Sequence, residues 1–333
     1  VDALVTLHEG DCLEVLAGMP DASIDAVVTD PPYSLSFMGR SWDTFKPSEF
    51  QAWCEKWAGE CLRVLKPGGY LLAFGGTRTY HRLACGIEDA GFEVRDSLHW
   101  IYGQGFPKGK AALKPSHEPI VMARKPDRKS APLPGLDDCR VEGVPPSVPQ
   151  PAFNSPTGQV YGMKAGTGRN GAMSQSSQGR WPPNVLLSEE AAAEMDRQSG
   201  NLAGCGGPKK VDSGATSMFG IGAVARTYER EGGGASRFFP VFRYQAKASS
   251  KERPRLPDGT AWPTVKPLEL MRWLVRLVTP PGGTVLDPFA GTGTTAQAAA
   301  LEGFSCVLAE KDPVAVALIR QRLAKPLQPS LLE

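Results

Sequence analysis

The sequence of 333 residues lacks any apolar run near the roughly 18 residues that span a membrane. It has no pair of cysteines at C-x-x-C spacing, and its seven cysteines are odd in number. Neither a closed zinc site nor a disulfide framework is signalled, so Cys12, Cys54, Cys61, Cys85, Cys139, Cys205 and Cys306 read as reduced thiols. The four histidines, His8, His81, His99 and His117, lack ligand spacing, and no metal is expected. Residues 1–10 carry neither a basic n-region nor an apolar h-region, so they do not read as a secretory signal. The expected location is cytoplasmic, with no membrane partner. Gly (37) and Pro (30) make up about a fifth of the chain, below the roughly 25–30% of low-complexity disorder. Hydrophobic residues are 41%, ordinary for a chain with a buried core.

Net charge is only +2, but it is unevenly spread. Residues 103–255 carry 22 Lys/Arg against 13 Asp/Glu, a net +9, leaving −7 for the rest. A basic middle between acidic flanks fits either a polyanion-facing segment or a solvated Arg-rich loop. The same middle, from about Lys125 to Pro257, has no sustained helical or strand period. Its glycine patches, such as Gly166-Thr167-Gly168-Arg169-Asn170-Gly171, are loop-like. It also holds Phe153, Tyr161, Trp181, Phe219, Phe238, Phe239, Phe242 and Tyr244, which favours an ordered, irregular binding module over a linker.

The flanks alternate strands and helices. Leu4–Leu7 and Ile24–Thr29 read as strands, with a helical stretch from Asp11 to Leu16 between them. Phe50, Trp53, Cys54, Trp57, Ala58, Cys61, Leu62 and Leu65 fall on one face of a helix over Glu49–Leu65. Ser48 is its expected N-cap, and Lys66-Pro67-Gly68-Gly69 its expected terminating turn before the strand Tyr70–Phe74. Pro267, at an expected N1 position, opens a helix through Val278; Thr284–Leu286 is a strand, Thr295–Glu302 a helix, Ser305–Ala309 a strand and Pro313–Leu323 a helix. This is the α/β layer pattern, interrupted by one insertion.

Two strand ends carry chemistry. Asp30-Pro31-Pro32-Tyr33 follows the strand Ile24–Thr29, where α/β sheets place ligands. The prolines stiffen the backbone and have no N–H, leaving local carbonyls free as acceptors. Asp30 adds a carboxylate and Tyr33 a flat π-face. The set suits an exocyclic NH2 group and its ring, although an ordinary strand-ending turn fits a lone D-P-P-Y too. The second strand end is Asp287-Pro288-Phe289-Ala290-Gly291-Thr292-Gly293-Thr294-Thr295, a strand, glycine loop and helix. It is neither G-x-G-x-x-G nor a P-loop with its Lys, which speaks against a dinucleotide or nucleoside triphosphate there. Glu310 ends the next strand, placed to accept ribose hydroxyls or simply to sit on the surface.

These two motifs resemble the catalytic and S-adenosylmethionine-binding motifs of the DNA amino-methyltransferases. Further likeness lies at Gly10-Asp11, at Lys66–Gly69 and at Pro263-Thr264-Val265-Lys266-Pro267. The catalytic motif comes first, a long insertion follows and the cofactor motif comes last, an order similar to the permuted β-class. Trp262 stands where relatives often have His, and Gly291-Thr292-Gly293 replaces Gly-Ser-Gly. Gly179-Arg180-Trp181-Pro182-Pro183-Asn184 and Tyr244-Gln245-Ala246-Lys247 resemble phage-type members.

The resemblance implies a circularly permuted, Rossmann-like α/β sheet with helices on both faces. It assigns 1–124 and 256–333 to the catalytic domain and 125–255 to a mostly irregular target-recognition insertion. The implied catalytic residues are Asp30, Pro31, Pro32 and Tyr33. The implied cofactor residues are Asp11, Cys12, Asp30, Lys266, Asp287, Pro288, Phe289, Gly291, Gly293, Thr294, Thr295 and Glu310. The cofactor would be S-adenosylmethionine, released as S-adenosylhomocysteine, and the partner double-stranded DNA with the target base flipped out. A homodimer and a cognate restriction enzyme stay open. The Asp in D-P-P-Y favours adenine N6, with cytosine N4 as the alternative; an RNA methyltransferase and an inactive DNA-binding protein are further readings. No Pro-Cys dipeptide of the cytosine-C5 enzymes occurs.

Overall fold

A computed structural model describes residues 5–35, 44–103, 113–127, 132–143, 159–160, 163–164, 179–202, 232–242, 253–256, 259–260, 262 and 264–324. The segments Gly166–Gly171 and Tyr244–Lys247, together with Pro263, lie outside the described residues.

The first half supplies β1 (Val5–Glu9), α1 (Cys12–Ala17), β2 (Ile24–Thr29), α2 (Pro47–Val64), β3 (Leu65–Phe74), α3 (Tyr80–Asp89), β4 (Glu93–Ile101) and β5 (His117–Arg124). A short hairpin, β6 (Gln159–Val160) and β7 (Met163–Lys164), stands apart from the main sheet. Then follow β8 (Val185–Ser188), α4 (Glu189–Ser199), β9 (Val241–Phe242), α5 (Leu268–Val278), β10 (Thr284–Asp287), α6 (Thr294–Leu301), β11 (Ser305–Glu310) and α7 (Pro313–Leu323).

Nine strands form one sheet in the order β1-β11-β10-β2-β3-β5-β4-β8-β9. The first five in that order are mutually parallel, so Glu9, Glu310, Asp287, Thr29 and Phe74 share one edge. Strand β5 runs antiparallel to β3 and β4, and its first residues reach the same edge. Central strands buried on both faces read as near-continuous apolar runs, as Ala26-Val27-Val28 does in β2. Ala26, Val28, Tyr70, Leu72 and Phe74 pack toward α5 and α6. Ile24, Val27, Leu71 and Ala73 pack toward α1, α2 and α3 on the other face. The expected α/β sheet with helices on both faces is present.

Several local expectations need correction. Helix α2 is capped at Lys46, not Ser48, with Pro47 at its start and the Glu49 carboxylate accepting from the Lys46 N–H at 3.2 Å. The proline, which needs no N–H partner, decides the start. Lys66–Gly69 is not a separate turn: β3 pairs at Leu65 with Ile24 and next at Tyr70 with Ala26, so these residues bulge within the strand, Gly68 at φ +80°. Pro267 is the N-cap of α5 and Leu268 its first helical residue.

The segment expected to be irregular adds strands β8 and β9 to the sheet edge and the helix α4 beside them. At four residues β8 is too short to show a period, and it is fixed by pairing with β4, Leu186 beside Trp100. Helix α4 has only Ala192 buried, so it carries no apolar stripe to read.

Helices α2 and α3 approach closely at Gly86, where an added Cβ would lie 2.7 Å from both the Cys54 Cβ and the Gln51 carbonyl oxygen. In an isolated helix Ala is favoured over Gly by about 1 kcal/mol. Here overpacking outweighs that gain, and Gly86→Ala is expected to destabilise the fold by about 1–3 kcal/mol in urea denaturation. A stabilised variant would contradict the packing.

Candidate active site

Both motifs lie at the carboxyl edge of the sheet, on neighbouring strands β2 and β10. From β2 the chain continues through α2 to β3 on one side; from β10 it continues through α6 to β11 on the other. The crevice between β2 and β10 is therefore a topological switch point, the usual ligand position in such sheets.

Asp287 braces this crevice. Its carboxylate is 2% exposed. One oxygen accepts from the Thr29 hydroxyl at 2.7 Å and the Phe289 N–H at 3.1 Å, and the other from the Thr295 hydroxyl at 2.6 Å. Burial pushes its pKa up to about 6 against these hydrogen bonds. Asp287 thus ties β2, the glycine loop and α6 together, with its lone pairs turned into the protein. The rest of the loop follows: Pro288 is buried, and Phe289 packs with its ring centroid 5.5 Å from both Trp53 and Trp57 of α2. Thr294 is buried at the start of α6.

The glycines of the loop differ. Gly293, at φ +77°, has a Cβ position 3.2 Å from Ile319, a packing constraint. Gly291, at φ +53°, has a Cβ position with nothing within 4 Å. Its N–H donates to one Glu310 carboxylate oxygen at 2.7 Å, while the Asp312 N–H donates to the other at 2.8 Å. Burial raises the Glu310 pKa despite these bonds. On the adjacent strand, the Gly10 N–H donates to the Glu310 carbonyl at 3.0 Å. Next to it Asp11 caps α1, one oxygen accepting from the Leu13 N–H at 3.0 Å, with the side chain 44% exposed. Cys12 is buried, and burial, with Asp11 second, pushes its thiol up to about 12. Gly291, Glu310 and Asp11 form an open acidic rim. They fit an adenosine group, whose ribose hydroxyls and exocyclic amine need acceptors.

The D-P-P-Y segment has a different character. Asp30 and Tyr33 are half-buried and Pro31 is buried. The Tyr33 hydroxyl donates to Asp30 Oδ1 at 2.6 Å. Lys266 Nζ donates to Asp30 Oδ2 at 2.7 Å and lies 3.1 Å from Glu118 Oε2 and 3.2 Å from the Tyr33 hydroxyl oxygen. Lys266 therefore sits at the D-P-P-Y motif. Burial works to lower its pKa, but Asp30 and Glu118 outweigh it and hold the ammonium above its ordinary value. The Tyr33 phenol is likewise raised, by burial first and then by the two carboxylates. The Thr79 hydroxyl donates to the Tyr33 carbonyl at 2.7 Å, and Ser34 follows at φ +55°, a left-handed turn.

Glu118 and Thr79 were not read from the sequence. Glu118 reaches the site only because β5 runs antiparallel, which no local pattern announces. Among the described residues no group of His, Cys, Asp and Glu is arranged to hold a metal, and no helix is long and apolar enough to cross a membrane.

Among the described residues, the basic middle shows guanidinium–ring contacts of Arg140 over Trp181 at 4.7 Å, and of Arg180 and Arg237 over Phe238 at 4.9 and 4.3 Å. The three arginines border a cavity of about 680 Å³ beside β9, which Trp273 of α5 also lines.

A switch-point crevice with a glycine loop, the Glu310 and Asp11 carboxylates and the Asp30–Tyr33–Lys266–Glu118 cluster beside it is an arrangement in which α/β proteins hold nucleotide-like ligands. A family model described as DNA methylase, of the N6 and N4 type, matches residues 24–321. The chain belongs to this DNA methylase family. The type II methyltransferase M.HinfI of Haemophilus influenzae is 28% identical over 140 residues, 37% of this chain and 39% of that protein. The match thus spans well under half the length of that curated relative. Among solved structures, TTHA0409 of Thermus thermophilus, in complex with S-adenosyl-L-methionine, shares 21% identity with a TM-score of 0.51, covering 98% of this chain and 97% of that one. The cytosine-N4-specific PvuII DNA methyltransferase shares 17% identity with a TM-score of 0.56, covering 98% and 88%. At these identities the likeness is one of fold.

An acid whose native pKa exceeds its unfolded value binds more protons when folded, so its stabilising contribution declines as pH rises between the two values. For Asp287 that window runs from 3.8 to about 6. Asp287→Asn removes the titration at nearly constant size. Urea denaturation across this window is expected to show the stability difference shifting toward the variant as pH rises. A difference that stays flat would contradict the burial argument.

Proposed function

We propose that the protein is a DNA methyltransferase that uses S-adenosylmethionine and modifies an exocyclic base amine. The observation that carries this reading is the adjacency of two sites on one sheet edge: the acidic rim at Gly291, Glu310 and Asp11, and the Asp30–Tyr33 cluster, joined through Asp287 and Thr29. When bound, S-adenosylmethionine supplies a methyl group on a sulfonium centre. Glu310 would accept ribose hydroxyls with the lone pairs its two backbone partners leave free, and Asp11 would face the adenine end. A base amine is a poor nucleophile because its lone pair is delocalised into the ring. Asp30 and the Pro31 carbonyl accept its two hydrogens and favour a pyramidal nitrogen; positioning is most of the rate gain. Tyr33 offers a ring to stack on a base drawn out of the duplex.

The finer assignments rest on the sequence motifs. The order of D-P-P-Y before the glycine loop supports a permuted, β-class arrangement of a Rossmann-like core. The basic segment with its arginine–aromatic contacts supports a target-recognition role for 125–255 against double-stranded DNA. Asp at the first motif position favours adenine N6 over cytosine N4.

Paired variants test the reading. Asp30→Ala is expected to keep S-adenosylmethionine binding by calorimetry while transfer of tritiated methyl to DNA falls at least about a hundredfold. Gly291→Val, which places a β-branched residue at positive φ, is expected to lose cofactor affinity itself. Full transfer by Asp30→Ala would remove Asp30 from the reaction. Unchanged affinity in Gly291→Val would move the cofactor elsewhere.

A further inference from the structure

Three charges meet at the D-P-P-Y motif. Lys266 Nζ lies 2.7 Å from Asp30 Oδ2 and 3.1 Å from Glu118 Oε2. All three side chains are largely shielded, at 15%, 31% and 25% exposure for Lys266, Asp30 and Glu118, and Lys266 also faces the Phe74 ring at 4.6 Å. Charges in such surroundings act on one another far more strongly than in water. An Asp30–Lys266 pair alone would be neutral. With Glu118 the cluster carries one net negative charge.

That sign matters for the proposed reaction, on which this inference rests. Transfer forms an N–CH3 bond as the bond from methyl to sulfur breaks, its electron pair remaining on sulfur. The amine nitrogen takes on the positive charge and then releases a proton to solvent. A neutral pair beside that nitrogen would give it little stabilisation; a net negative cluster stabilises it as the charge develops.

We propose that Glu118 is a positioning residue that neutralises Lys266, so that the charge of Asp30 remains available to the amine nitrogen. Glu118 also stands 3.3 Å from the Tyr33 hydroxyl, a second acceptor for that proton when Asp30 turns to the base. Lys266 in turn anchors the D-P-P-Y carboxylate to the segment before α5, 236 residues away in sequence.

The test measures kcat and KM for methyl transfer to DNA lacking prior modification, with S-adenosylmethionine binding as the control for an intact site. Glu118→Gln is expected to lower kcat by about tenfold or more with KM little changed, because the lost effect is felt only as charge develops. The double variant Glu118→Gln/Lys266→Met restores one net negative charge, now carried by Asp30 alone, and is expected to recover a large part of the lost kcat. An effect confined to KM, or a double variant no faster than Glu118→Gln, would overturn the proposal. An independent readout needs no turnover: in lysine-labelled protein the Lys266 NMR signal, assigned by its absence in Lys266→Met, should titrate at lower pH in Glu118→Gln than in wild type. An unmoved titration would also overturn it. A wild-type protein that transfers no methyl to DNA would instead defeat the methyltransferase reading, while the titration still judges the Glu118–Lys266 coupling.

Discussion

The buried carboxylate of Asp287 is the constraint on which the site depends. It belongs to the glycine-loop strand, yet it accepts from Thr29, 258 residues earlier and one residue before the D-P-P-Y motif. Thr295, at the start of α6, and the Phe289 backbone supply two further donors. Hydrogen bonds to a charged group contribute about 1.5–3 kcal/mol each, which offsets part of the cost of burying the carboxylate. The geometric consequence is larger than the energetic one. Two loops that carry separate tasks are held in one register across the β2–β10 crevice.

Around that brace the two halves of the site differ in what they leave free. At Glu310 and Gly291 the side chain and loop engage each other through backbone N–H groups, and the space over Gly291 stays open. At Asp30 the side chains satisfy one another, through Tyr33, Lys266 and Glu118. An incoming base amine therefore has to compete with contacts already made. A site of this kind is ordered before its substrate arrives, at the expense of rearranging some hydrogen bonds on binding.

Much of this was legible in the sequence, and for physical reasons. Strand β2, helices α2 and α7, and the β10–loop–α6 unit are local: their apolar runs, spacing and glycines carry their own signal over a few residues. The motif residues Asp30, Tyr33, Asp287, Gly291 and Glu310 come to one sheet edge because they sit at or just beyond strand ends within such units. What was not legible depends on pairing between distant segments. Glu118 looks like any acid in His117-Glu118-Pro119 until β5 lies antiparallel beside β3. Strands β8 and β9, of four and two residues, owe their existence to β4 and to each other. The contact of Lys266 with Asp30, 236 residues away in sequence, likewise exists only once the sheet has formed.

The central claim is that this sheet edge directs a methyl group to an exocyclic base amine. Mass spectrometry of nucleosides tests it most directly, using DNA incubated with the protein and methyl-labelled S-adenosylmethionine. The account predicts label in N6-methyladenine, and N4-methylcytosine would keep the chemistry while changing the base. Label on cytosine C5, or unlabelled DNA of varied sequence with an active cofactor present, would contradict it.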